Sequence, residues 1–302
     1  MNTSLEAKPV SIALPRTTSV SAYVELMKLR LVSLVLVTTA IGFYATSNAP
    51  RDPAFFVHLA QTILGTALLA GGAMALNQVM ERDTDALMRR TQTRPLPARR
   101  IGVSEATAFG AALLTLGTAY LGIAANLLTG ALGALTVAVY LLLYTPLKTR
   151  TSLCTIVGAV SGAIPPMMGC TAAAGRITPE AWLLFAILFV WQMPHFLAIA
   201  WLYREDYARG GQMMLPVVDP SGASTARQMV SFALALLPAT LMPTVIRMAG
   251  GIYFAAALAL GLAFLGFALG VAIWKTKWAA RAMFIVSVLY LPLLLATMMW
   301  DR

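Results

Sequence analysis

The chain is 302 residues long, 59% of them hydrophobic and only 11% charged, with 16 Met and 22 Gly against two Cys. So few charges cannot make the polar shell of a water-soluble protein of this size, which excludes a soluble globular domain. The formal charge of +10 does not point to nucleic acid either, because the basic residues are spread over many short loops and not gathered on one helix or tail.

In chain order, the opening MNTSLEAKPVSIALPRTTSVS has neither the compact apolar core of a secretory signal nor the Arg-rich amphipathic character of an organelle presequence. Residues 1–22 are expected to form a disordered cytoplasmic tail, and residues 23–302 a single membrane domain. Apolar runs near 28–47, 54–76, 105–125, 128–145, 153–174, 181–202, 229–247, 251–273 and 281–299 are each long enough to cross the roughly 30 Å hydrocarbon core as a helix. The ten-residue apolar and polar alternation of a membrane barrel is missing. An all-α polytopic bundle of nine transmembrane helices is expected. Only Asn126 and Leu127 divide the third span from the fourth. Cys154 and Cys170 share the fifth span, about 24 Å apart along a helix, too far for a disulfide. Pro165, Pro166, Pro194, Pro238, Pro243 and Pro292 are expected to break their spans and free carbonyls that line a pocket within the bundle.

With the N-terminus in the cytoplasm, every Lys and Arg except Arg51, Arg176, Arg247 and Arg302 falls on the cytoplasmic side. The positive-inside rule therefore places the C-terminus outside. The missing presequence favours a bacterial cell membrane.

The few acidic residues concentrate on that same side. In ALNQVMERDTDALMRRTQTRPLPARR, Asn77, Glu81 and Asp85 recur at i, i+4 and i+8 and form one oxygen-bearing stripe at the end of an apolar helix. Stacked carboxylates repel unless a cation neutralises them, and oxygen ligands with open positions suit Mg²⁺ bridging to phosphates. Arg89, Arg90 and Arg94 would hold the remaining phosphate charge. Asp83 points away, towards Arg82 or a neighbouring loop. A solvated loop with compensating charges is the competing reading. A second acidic pair, Glu205 and Asp206, follows the sixth span, so that two acidic segments face one mouth. His195 lies inside that span, where an ionisable group is either functional or hydrogen-bonded between helices. Tyr144, Lys148 and Arg150 after the fourth span, and Lys28 and Arg30 before the first, are cationic segments that serve an anionic ligand or simply anchor the spans.

Several of these segments match a known pattern. NQVMERDTDALMRRTQTRPL resembles the N-x-x-x-D-x-x-x-D signature of the UbiA superfamily of intramembrane prenyltransferases, with Glu81 where Asp is usual. Its R-D-x-D-x-x-M-x-R-T run followed by R-P-L, together with YTPLKTRTSLCTIVGAVSGAIPPMMG, WQMPHF and DYARGGQMMLPVV, resembles the heme-farnesylating branch. The likeness runs from about Lys28 to Pro216, and beyond that only the hydrophobic spans support it. Leu29 stands in the middle of a K-P-R pattern common at the first span, so a weaker kink is expected there.

The resemblance implies a cytoplasmic-side active-site mouth that transfers the farnesyl group of farnesyl diphosphate to the vinyl group of heme b, giving heme o. It implies Mg²⁺ on Asn77, Glu81, Asp85 and Asp206, which with Lys148 form the catalytic set. Arg30, Arg89, Arg94, Tyr144 and Arg150 are then candidate contacts to the diphosphate. His195 is a candidate iron ligand or porphyrin guide, with Trp191 and Phe196 packed on the ring. The farnesyl tail lies between helices, open to the lipid bilayer, and a heme a synthase is an expected downstream partner. A quinone-type prenyltransferase would instead carry a second Asp-rich motif near the sixth span, where this chain has His195 and the Glu205–Asp206 pair. A transporter would place ionisable groups near the midplane and show related halves, and no such repeat is seen.

Overall fold

The computed structural model describes residues 20–47 and 49–302 and contains nine helices long and apolar enough to cross a membrane among them. The expected tail lies outside the described residues up to position 19, while its last three positions already belong to a short helix, α1 (Val20–Met27). The spans are α2 (Leu29–Thr46), α3 (Pro53–Leu87), α4 (Val103–Ala124) and α5 (Leu127–Ala138), the last continued by wider turns over Val139–Tyr144 and by α6 (Thr145–Leu147). Then follow α7 (Cys154–Ala174), α8 (Pro179–Leu202), α11 (Ala223–Val245), α12 (Gly251–Trp274) and α13 (Lys277–Trp300), with the short helices α9 (Arg204–Arg209) and α10 (Leu215–Val218) between α8 and α11. Up-and-down order gathers the ends of α3, α6 and α8 at one end of the bundle.

Local chemistry sets these boundaries. Asp52 caps α3 by accepting from the Phe55 N–H at 2.9 Å, with Pro53 in the first turn. Asn126 divides α4 from α5 as expected. Its Oδ1 accepts from the Thr129 N–H at 2.9 Å, and its Nδ2 donates to the Thr171 carbonyl of α7 at 2.8 Å. Thr178 and Thr276 cap α8 and α13 in the same way.

Two expectations are corrected. The prolines at 165, 166, 194, 238, 243 and 292 lie inside continuous helices. Each removes one backbone bond, and packed neighbours hold the remaining turns. The helical ladder instead loosens at Val139–Tyr144, where no proline stands. Nor is the bend before the first span weak: Lys28 takes a left-handed backbone, φ 50°, and separates α1 from α2 completely.

The centre of the bundle is α7, with 72% of its apolar window buried against 22–50% in the other eight spans. Small residues let α2 lie on it: a Cβ on Gly169 would stand 1.9 Å from the Thr39 carbonyl oxygen, and one on Gly42 2.1 Å from that of Pro166. Met167, Leu184, Leu236, Tyr253, Phe264 and Leu294 fill the space among α7, α8, α11, α12 and α13. The outer surface stays apolar, with Ile123, Leu127 and Ile273 turned outward, and exposed Trp182 and Trp300 at one end face Trp274 and Trp278 at the other. That distribution suits lipid contact and an interfacial aromatic belt. Both cysteines are free and buried.

Candidate active site

At 35 residues, α3 is about 52 Å long, well beyond a hydrocarbon core of roughly 30 Å, so its last turns carry polar side chains past the apolar zone. The inward stripe consists of Asn77 at 1% exposure, Glu81 at 7% and Asp85 at 1%. Buried carboxylates require partners, and each has one. The Lys148 ammonium, delivered by the turn after α6, donates to Glu81 Oε1 at 2.6 Å. Arg94 donates to Asp85 Oδ2 at 2.6 Å from the loop after α3, which is held by Thr91 Oγ1 donating to the Asp85 carbonyl. Lys28, turned inward by its left-handed backbone, donates to Asn77 Oδ1 at 3.3 Å, and Asn77 Nδ2 donates to Thr145 Oγ1.

Burial, together with the nearby Arg94 charge, pulls the Lys28 ammonium down to about 7. Burial pulls on Lys148 in the same direction, but the Glu81 carboxylate against it prevails and holds it above the ordinary lysine value. The Lys148 ammonium also lies 4.3 Å above the Tyr144 ring, which stacks on Tyr140.

Asp206 on α9 is buried beside this mouth. Its Oδ1 accepts from the Arg89 backbone N–H at 3.2 Å and pairs with Arg209. The Arg90 guanidinium sits 4.6 Å from the Tyr207 ring and pins the same loop to α9. Glu205 turns outward to Lys277, whose hydrogen bond lowers its pKa, and exposed Asp83 lies 3.4 Å from Arg82.

His195 lies seven residues, about 10 Å, before the end of α8. Its ring stacks on Trp191 at 5.1 Å, meets Phe284 of α13 at 5.3 Å and touches Phe196 at 5.7 Å. Nδ1 is 2.7 Å from Ser287 Oγ, and the Trp191 Nε1–H donates to the Ser287 carbonyl at 3.0 Å.

Of the residues singled out from the sequence, Asn77, Glu81, Asp85, Lys148, Arg94, Tyr144 and Asp206 gather at this end, and Trp191, His195 and Phe196 form a second group deeper along α8. Arg30 and Arg150 are exposed, and Arg89 takes part through its backbone while its side chain faces out. Sequence reasoning left Lys28, with Arg30, between an anion contact and a plain anchor, and did not include Thr145, Ser287 or Phe284. No spacing rule announces a left-handed Lys28, and Ser287 sits in an apolar span without a motif.

Two cavities of about 520 Å³ each lie away from this site. One is at the opposite end among Tyr44, Arg51 and Arg302, and the other is an apolar groove between α4 and α5 lined by Leu114, Val137 and Leu141. Ion pairs between Lys148 and Glu81 and between Arg94 and Asp85 lie at the mouth. Among the described residues no three His, Cys, Asp or Glu side chains converge closely enough to hold a metal ion. The donor set of the stripe nevertheless fits Mg²⁺, being two carboxylates and an amide, all oxygen, on one helix face. The cations now resting on those oxygens are also the groups that suit phosphate.

Comparison with known proteins supplies the context. The sequence profile of the UbiA prenyltransferase family matches residues 35–295. The chain is 49% identical over 286 residues to the protoheme IX farnesyltransferase of Solibacter usitatus, covering 93% of this chain and 98% of that protein. It is 43% identical over 303 residues to the one from Koribacter versatilis, covering 98% of each. A solved structure concerned with digeranylgeranylglyceryl phosphate synthase superposes with a TM-score of 0.78 at 15% identity, over 93% of this chain and 97% of that one. A UbiA homologue from Archaeoglobus fulgidus, bound to GPP and Mg²⁺, gives 0.63 at 17% identity, over 92% and 99%. The structural likenesses establish the fold.

Proposed function

Because the chain belongs to the UbiA prenyltransferase family, and within it to the protoheme IX farnesyltransferases, we propose that the Asn77–Glu81–Asp85 stripe is where farnesyl diphosphate is held and ionised. The reaction transfers the farnesyl group to a vinyl group of heme b and yields heme o and diphosphate. The observation that supports this site is a buried oxygen stripe faced by the cations Lys148 and Arg94 and by the Lys28 amine, from three different segments.

Binding exchanges partners. The diphosphate would draw Lys148 and Arg94 from Glu81 and Asp85, and those carboxylates with Asn77 and the nearby Asp206 would hold Mg²⁺. The metal supplies charge neutralisation for the departing diphosphate. This chain's own contribution is positioning and electrostatics: cations set in advance around the leaving oxygens stabilise charge where it develops. As the bond from farnesyl C1 to the diphosphate oxygen breaks, the terminal vinyl carbon of heme b bonds to C1. Water then adds to the resulting cation next to the porphyrin and loses a proton, which makes the hydroxyl. The apolar walls of the bundle keep water from the allylic cation until the carbon–carbon bond has formed.

His195 meets the porphyrin, with Trp191 and Phe196 against its ring. The charged mouth faces the cytoplasm of the cell that carries the protein in its plasma membrane, and the hydrophobic product passes to a heme a synthase. The test is mass spectrometry of hemes extracted from a host lacking its own heme o synthase. Wild type should give heme o, and well-folded Asp85→Ala should give none. Heme o from both would remove the stripe from the reaction, and none from well-folded wild type would overturn the assignment.

A further inference from the structure

The contacts of His195 settle which of its nitrogens carries the proton. Ser287 Oγ is 2.6 Å from the Phe284 carbonyl oxygen. A carbonyl has no proton to give, so the single hydroxyl proton of Ser287 is committed to Phe284. The 2.7 Å contact between Ser287 Oγ and His195 Nδ1 must then be an Nδ1–H donating to the hydroxyl oxygen. The remaining lone pair of the imidazole is on Nε2. Among the described residues that atom has no hydrogen-bond partner, and it is not among the polar atoms sealed away from the surface without one. Trp191 stacks on the ring at 5.1 Å and Phe284 lies 5.3 Å away, while the Trp191 Nε1–H donates to the Ser287 carbonyl. The imidazole plane is therefore fixed by α8 and α13 together, with its basic edge left free.

We propose that Ser287 is a positioning residue for the heme substrate: by locking the Nδ1–H form of His195 it presents Nε2 as an axial ligand to the heme iron. This rests on the reading of heme b as the prenyl acceptor. A neutral imidazole whose second nitrogen is held by a hydrogen-bond acceptor is what a metal-ligating histidine requires, and that acceptor strengthens the ligand. From a ligated iron, the porphyrin edge extends by several ångströms. A site about 10 Å inside the end of α8 thus lets the vinyl edge approach the charged mouth while the iron stays in the apolar zone.

The experiment uses the full chain in lipid nanodiscs with ferrous heme b, read by resonance Raman and absorption spectroscopy, and by steady-state formation of heme o. Wild type should show an iron–imidazole stretching band. His195→Ala should lose that band and regain it with added imidazole. Ser287→Ala should keep the band at lower frequency and lower kcat about tenfold, the scale of a lost partner to a metal-bound histidine, with KM for farnesyl diphosphate unchanged. Ser287→Thr, which keeps the hydroxyl, should restore the band position. An unchanged axial band in His195→Ala, or an unchanged frequency in Ser287→Ala, overturns the proposal while leaving heme farnesylation standing. Failure of the wild type to form heme o overturns the functional reading, and the proposal with it.

Discussion

Lys148 carries two duties that a substitution separates. It neutralises buried Glu81 at 2.6 Å, and in the proposed reaction it would serve the diphosphate. Lys148→Met leaves Glu81 as an uncompensated carboxylate in a dry site, which costs about 3–5 kcal/mol. The protein should therefore unfold at markedly lower temperature in detergent, followed by loss of the monodisperse species. Adding Glu81→Gln removes the stranded charge and should recover most of that stability, yet heme o formation stays absent because both the cation and the carboxylate are gone. Recovery of activity in the double variant would show that the pair is structural. The longer arm of Glu81 is consistent with its partner: it reaches Lys148 at the turn after α6, whereas Asp85, one turn further on, meets the long side chain of Arg94 instead.

Helix ends and helix crossings decide whether those side chains meet. On Gly169, a Cβ would stand 1.9 Å from the Thr39 carbonyl and 2.6 Å from the Phe43 backbone nitrogen, contacts that no rotamer relieves. Gly169→Val should force α2 from α7 and abolish the folded fraction, whereas Gly266→Ala in α12, with nothing within 4 Å of the added atom, should be neutral or slightly stabilising by about 0.5–1 kcal/mol. A folded Gly169→Val protein would mean the crossing is looser than it stands. At the start of α11, Asp219 accepts from the Ser221 hydroxyl at 2.5 Å and from the Ser224 N–H at 2.8 Å, and these bonds hold its carboxyl down to about 2. Its folded value lies below the unfolded one, so the turn is fully held above about pH 4 and released as pH falls towards 2. Amide protection at Ser224, corrected for intrinsic exchange, should fall across that window in wild type, and Asp219→Asn should be flat. The spans and the Asn126 division were legible because length and hydropathy report membrane crossing directly. The wider turns at Val139–Tyr144 and the continuity through the prolines were not, since tertiary packing sets both.

For the molecule as a whole, nine spans among the described residues predict that its two ends lie on opposite sides of the membrane, and the distribution of charge predicts which is which. The acidic stripe was legible because i, i+4 spacing on a long helix is read from sequence alone. Its pairing with Lys148 and Arg94 was not, because those partners come from loops whose paths no periodicity encodes. The same loops make one end of the bundle basic, and the positive-inside rule predicts that this end faces the cytoplasm. Gln92 in the loop after α3 and Lys275 after α12 are exposed at that end, and Ala49 between α2 and α3 is exposed at the other. The native thiols give little background, since Cys154 and Cys170 are both buried. A membrane-impermeant maleimide applied to intact spheroplasts should therefore label Ala49→Cys and leave Gln92→Cys and Lys275→Cys unlabelled until the membrane is opened. The reverse pattern would place the proposed diphosphate site on the outer face and would overturn the orientation.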